Sequence, residues 1–189
     1  SLYVGRDNRG SGGDAYDFVF VSKVGTNASS VVNYGNVTTK DPDAVVYDQL
    51  GLVSGTPGSV IVGGTTGTNT SIISRIAPNG TVTTLFGGVL TNLGNPRQFI
   101  FNSAGRMYVT DSVYGQVLTT TSAAAPTLLC ISSNAHGIAL DVSNRLAVTS
   151  VTEPRIQLFN TNGTLINANF AAVRAESPIV RGPGDAFWG

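Results

Sequence analysis

Residues 135–170 read AHGIALDVSNRLAVTSVTEPRIQLFNTNGTLINANF, and the order of runs and turns in that stretch decides the fold. GIALD, RLAVTS, RIQLFN and LINANF are short, rich in apolar and β-branched residues, and separated by VSN, VTEP and TNG. Such runs are too brief for helices and carry the turn chemistry of strands, so the stretch predicts four antiparallel strands in meander order. RIQLFNTNGTLINANF, residues 155–170, is then not an isolated hairpin but most of one repeated unit.

The same order recurs upstream. From Asn95 the chain runs QFIFN, SAG, RMYVTD, SVYG, QVLTTT, SAAAP and TLLCIS. From Asp41 it runs AVVYD, a longer loop, SVIVGG, TTGTN, SIISRIA, PNG and TVTTLFGG. Equivalent starting positions are Asp43, Arg97, His136 and Ile179, at intervals of 54, 39 and 43 residues. A period of roughly 40 to 50 residues with four strands per unit is the spacing of β-propeller blades. The physical reason for repetition is burial: a four-stranded meander exposes two apolar faces and covers neither alone, whereas stacking blades around an axis covers both.

Two of these units, NPRQFIFNSAGRMYVTDS and AHGIALDVSNRLAVTSVTEPRIQLFNTNGTL, resemble the NHL repeat and its relatives in the senescence-marker-protein/gluconolactonase β-propeller superfamily. The resemblance spans residues 41 to 180 and implies an all-β propeller of four-stranded antiparallel blades. About four blade equivalents are present. The expected division is one propeller domain or propeller section over residues 1–189, with blades 41–94, 95–133 and 134–176 and a split blade of 1–40 plus 177–189. Joining SPIVRGPGDAFWG to SLYVGRDN gives an inner strand followed by a second strand, which would close a ring of four. Six blades are usual in the family, so a section of a larger propeller is the other arrangement.

Composition narrows the function classes. The 189 residues hold 11 Lys and Arg against 11 Asp and Glu, and only 12% of residues are charged. No basic patch gathers, which excludes a sequence-independent grip on phosphate backbones, so nucleic acid is not an expected partner. No run of about 18 apolar residues or charged-then-apolar leader is visible, so no membrane span is expected. One cysteine, Cys130 within TLLCIS, permits no internal disulfide and no thiolate zinc site, and reads as a small core hydrophobe. The low charge, the abundant Ser, Thr and Asn, and sequons at Asn27, Asn36, Asn69, Asn79 and Asn162 point to a secreted or cell-surface glycoprotein. Asn79-Gly and Asn162-Gly also read as hairpin turns.

In a propeller the start of each inner strand lies by the central channel, which gathers Asp43, Arg97 and His136 at one mouth as candidate binding residues. His136 is the candidate for acid/base work, because imidazole titrates near neutrality; ion pairing of Asp43 with Arg97 and a hydrogen-bonded His136 is the structural alternative. The resemblance implies Ca2+ or another divalent cation in the channel of catalytic members, for which Asp43 and Asp111 are the candidates here. The two glutamates, Glu153 and Glu176, fall in a loop and between blades, and the paired histidines of the streptogramin-lyase relatives are reduced to one. Asp111 in YVTDS matches the family's aspartate, whose usual task is to order the next turn through backbone N–H groups, while Gly64, Ser150 and Arg6 occupy its equivalents. The cluster Asp7, Asn8, Asp14 and Asp17 does not keep calcium-loop spacing and reads as a Gly-rich surface loop. No nucleophile elbow, dinucleotide fingerprint, phosphate loop or HExxH occurs.

The expected function is therefore a non-catalytic extracellular module for protein interaction or self-assembly, with no resident cofactor. Two alternatives remain: a metal-dependent lactone or ester hydrolase of the gluconolactonase type, and a glycan-binding module using exposed aromatics such as Tyr16, Tyr114 and Trp188.

Overall fold

The computed structural model describes residues 2–6, 19–24, 31–37, 39–66, 69–174, 178–182 and 186–188. The strands are β1 (Leu2–Arg6), β2 (Val19–Val24), β3 (Val31–Val37), β4 (Lys40–Asp48), β5 (Ser59–Thr65), β6 (Ser71–Ile76), β7 (Val82–Thr84), β8 (Pro96–Phe101) and β9 (Met107–Asp111). They continue with β10 (Gln116–Thr120), β11 (Thr127–Ile131), β12 (Ala135–Leu140), β13 (Leu146–Ser150), β14 (Arg155–Phe159), β15 (Leu165–Ala172), β16 (Val180–Arg181) and β17 (Phe187–Trp188). Among the described residues none is helical, and no helix is long and apolar enough to cross a membrane. Three four-stranded sheets, β4–β7, β8–β11 and β12–β15, follow chain order strand by strand, so each is an up-and-down meander. The all-β fold class and the four-stranded antiparallel unit read from the sequence are what the structure has.

The chain forms two compact units, residues 1–96 with the loop 122–125, and residues 97–121 with 126–189. In the first unit β1, β2 and β3 make an antiparallel sheet, and β4 to β7 make the next. Val37 of β3 packs into one cluster with Val60, Val62 and Ile76, so the first sheet covers a face of the second. The other face is buried as well, since Ile61 and Gly63 alternate with those valines and every residue from Ser59 to Gly64 is buried. The outer strand is shorter than TVTTLFGG predicts. β7 stops at Thr84 because Leu85 turns inward and the backbone reverses through Phe86, Gly87 and Gly88, all at positive φ. Leu90 then bridges back to Ser71.

The second unit shows why the meander cannot be half of a sandwich. On one face of the β12–β15 sheet, Ile138, Leu146, Val148 and Phe159 pack against Tyr108 and Val117 of the preceding sheet. On the opposite face Ala139, Ala147, Ile156 and Leu158 pack against Ile179, with half-buried Phe187 beside them. Each sheet of a sandwich would keep one face solvated and alternate in burial, but all five residues of β13 are buried. Exposure rises instead across the sheet, from β12, mostly buried, to β15, whose residues are all exposed except Ala168. β12 is therefore an inner strand and β15 an outer rim. β16 pairs with β17 through Val180↔Trp188 and Arg181↔Phe187, the same inner-to-second step.

One turn design links the strands. Ala77 N donates to Thr81 O and Gly80 N to Ala77 O, and the same two bonds recur over 102–106, 141–145 and 160–164. Each is a three-residue hairpin loop whose last position, Gly80, Gly105, Asn144 or Gly163, sits at positive φ. In the two Asn-Gly turns only the Gly takes the left-handed conformation. The Asn79 and Asn162 Oδ1 atoms accept from Thr81 N and Thr164 N, both at 3.1 Å. Gly163 has a second reason to lack a side chain: a Cβ there would lie 2.3 Å from Leu129 O of the neighbouring sheet.

Candidate functional site

In the second unit the positions singled out by the repeat fall at the starts of successive inner strands, Arg97 in β8 and His136 in β12. The strand edge there is irregular. Register slips between Ala135 and Ile138, and the freed Gly137 N–H donates to Thr149 Oγ1 at 2.8 Å. The preceding sheet repeats the device, with Gln98 N donating to Thr110 Oγ1 at 3.1 Å while that hydroxyl donates to His136 O. The structure thus brings Arg97 and His136 onto adjacent inner strands and ties the backbone of His136 to β9. Ile179, the next equivalent, is buried against Ala139 and Ala147 and presents nothing to solvent. Asp43 belongs to the first unit, exposed in β4 where the register slips between Lys40 and Ala44.

The residue that joins the inner strands is Gln98, which sequence reading passed over. Its Oε1 accepts from Ile138 N at 3.1 Å and from Ile179 N at 3.5 Å, and its Nε2 donates to Ile179 O at 3.0 Å. Inner strands are sheet edges, and a buried edge needs partners for its N–H and C=O groups. One amide supplies them for two further strands at once.

Three buried acids, Asp48, Asp111 and Asp141, are committed to the backbone. Asp48, buried at the end of β4, accepts from Gly51 N at 2.8 Å, Val53 N at 3.2 Å and Ser54 N at 2.8 Å, folding the long loop that follows. Arg75 fastens that loop from β6 by donating to Ser54 O and Thr56 Oγ1. Asn102 and Asp141 close the inner strands of the next two sheets, each Oδ1 accepting two turn amides. Asp141 Oδ2 also accepts from Arg145 Nε at 2.6 Å. Burial raises the Asp141 carboxyl, but the bonds from the Arg145 amide and guanidinium and from the Ser143 amide outweigh it and hold the acid below its usual range. Asp111, fully buried at the end of β9, accepts from Val113 N at 3.0 Å and Gln116 Nε2 at 3.1 Å. Its counterpart Ser150 receives Thr152 N and Glu153 N.

A hard-cation site needs several converging oxygens. Among the described residues no three His, Cys, Asp or Glu side chains gather, and the Asp111 oxygens are bonded to its own turn. The donors among the described residues do not form a site that fits a divalent cation. Cys130 lies half-buried on β11 against the apolar cluster, and burial pushes its thiol up to about 12. Exposed sequon asparagines are Asn69, Asn79 and Asn162. Asn27, Asp7, Asn8, Asp14, Asp17, Tyr16 and Glu176 lie outside the described residues, and Asn36, Arg6 and Trp188 are described by backbone alone. Tyr114 is exposed in the β9–β10 turn.

The second unit also holds an open cleft of about 400 Å³. Its walls are the later parts of β8 and β12, the turns after them, and Ile179 to Arg181. Neither Arg97 nor His136 lines it. Repeat alignment located the strand starts, whereas the cleft lies toward the other ends, and no periodic signal marks it.

No protein-family model matches the sequence, and no curated protein matches it. Solved structures do. A catalytically inactive variant of virginiamycin B lyase from Staphylococcus aureus, bound to quinupristin, aligns at TM-score 0.64 and 14% identity over 99% of this chain and 66% of its own. Regucalcin from Agrobacterium tumefaciens, a calcium-binding protein, aligns at TM-score 0.63 and 13% identity over 90% of this chain and 62% of its own. A chain of the nidogen/laminin complex aligns at TM-score 0.58 and 17% identity over 82% of this chain and 60% of its own. The chain thus spans less than two thirds of the length of each of them. At such identities the likeness shows the fold alone, and that fold is a β-propeller of four-stranded antiparallel units.

Proposed function

We propose that the chain is a non-catalytic β-propeller module of an extracellular or cell-surface protein, whose faces bind a protein partner or further copies of itself. The observation that carries this reading is the use of its acids: Asp48, Asp111 and Asp141 each hold a turn through backbone amides, leaving their carboxylates committed to architecture. Catalytic groups are set against one another with perturbed protonation, not absorbed into turns. The nidogen/laminin complex supports the reading by example, since a similar fold is present there in a complex of two proteins. Exposed Asn69, Asn79 and Asn162 in sequons support a glycosylated surface, and the low charge suits one solvated by hydroxyls and amides. Likeness to a lyase transfers no chemistry by itself.

The deciding experiment is turnover. Purified protein is assayed on lactones and aryl esters with Ca2+ or Zn2+, beside His136→Ala, while sedimentation velocity follows self-association over a range of concentrations. The proposal expects no hydrolysis above the blank. Metal-stimulated turnover that disappears in His136→Ala overturns it in favour of a hydrolase, and saturable oligosaccharide binding abolished by Tyr114→Ala overturns it in favour of a glycan-binding module.

A further inference from the structure

The cleft of the second unit has a built floor and a charged rim. The apolar surface it offers comes from half-buried Ile100 and Leu140 and from exposed Val180, while Ile138, Ala139 and Ile179 are buried behind that surface. At about 400 Å³ it falls within the size range of pockets that take small organic ligands. Two charged side chains line it, Asp141 and Arg181. The Asp141 carboxylate is already met by the Ser143 and Arg145 amides and by the Arg145 guanidinium 2.6 Å away, which offsets its charge. Arg181 is exposed, next to Val180, which is 57% exposed. The rim therefore presents a cation above an apolar floor, a combination suited to a ligand with a flat apolar body and one anionic group.

We propose that this cleft binds a small aryl or branched aliphatic carboxylate, its apolar body against Ile100, Leu140 and Val180 and its carboxylate on Arg181. The site is separate from the strand starts that carry Arg97 and His136. It requires neither a metal nor turnover, and it stands whether or not the module binds a protein through its faces. Gln98 has a part in it as a positioning residue, because its amide fixes the backbone at Ile138 and Ile179, which sets the spacing of the strands that form the walls.

The experiment titrates 2-naphthoate and the neutral 2-naphthamide into isotopically labelled protein and follows backbone amide shifts. Shifts should concentrate at residues 98–103, 138–144 and 179–181, with the carboxylate binding roughly threefold to fivefold tighter than the amide, the range for a solvent-exposed ion pair. Arg181→Gln should abolish that preference while leaving the amide's affinity unchanged. Val180→Trp, at an exposed position that tolerates size, should weaken both probes. Equal affinity of the two probes for the parent protein, a preference that survives Arg181→Gln, or shifts absent from those segments at millimolar concentration would each overturn the proposal.

Discussion

Replacing Gln98 by Met tests the joining of inner strands most directly, because Met keeps the length and bulk of Gln and removes only its hydrogen bonds. Two good bonds are lost, to Ile138 N at 3.1 Å and to Ile179 O at 3.0 Å, while the 3.5 Å contact with Ile179 N is too long to count for much. Each neutral bond contributes about 1 kcal/mol net. Ile138 is fully buried, so its N–H is left without water or partner and adds a desolvation cost of about 1 kcal/mol or more. The total is about 3 kcal/mol. Urea unfolding should show it as a lower midpoint at unchanged slope. Native-state hydrogen exchange should show it locally, as a loss of protection at the Ile138 amide of roughly thirtyfold or more. Gln157→Met is an internal comparison, since Gln157 Oε1 accepts a single bond, from Ser132 Oγ at 2.7 Å, and should cost about 1 kcal/mol. A Gln98→Met protein within about 0.5 kcal/mol of the parent, with Ile138 equally protected, would refute the idea that this side chain ties the strands together.

Gly163→Ala should destabilise by about 2–4 kcal/mol in thermal or urea unfolding, since it combines a φ of +88° with a Cβ placed 2.3 Å from Leu129 O. Asp141 has its folded pKa held below the unfolded one, so its contribution is fully present above the unfolded value and is lost as pH falls through the folded value. Accordingly Asp141→Asn should be less stable than the parent at neutral pH, and the gap between their unfolding midpoints should close progressively below about pH 4. A thiol pushed up to about 12 is almost all protonated at pH 8, so Cys130 should react slowly with an aromatic disulfide reagent in the native protein and rapidly once urea unfolds it.

Strand and turn positions were legible because their causes are local. Alternation and β-branching mark GIALD or RMYVTD wherever they sit, and the Asn-Gly and Ala-Gly turns are set by residues within five positions of one another. The repeat was legible for a related reason: a face that one meander cannot cover must be written again in the next, so Leu146, Val148 and Ala147 are apolar on both sides of one strand. Part of the site could have been read further. Asn102 and Asp141 stand one residue after their apolar runs and just before a turn, the sequence mark of an acceptor that closes its own loop. TVTTLFGG misled, because its apolar spacing does not reveal that Leu85 is drawn inward and stops the strand.

Sequence alone determined that the chain is all-β, that its unit is a four-stranded meander, and that such a meander is apolar on both faces; each follows from hydrophobic period and turn chemistry acting over a few residues. Only the tertiary structure decided that Gln98 clips strands 40 and 81 residues further along, that Asp111 and Asp141 are bound up in turns, and that a cleft opens beside Arg181. Those outcomes depend on which distant side chains meet at a strand edge, and a hydrogen bond between residues far apart in the chain leaves no period in the sequence to be read.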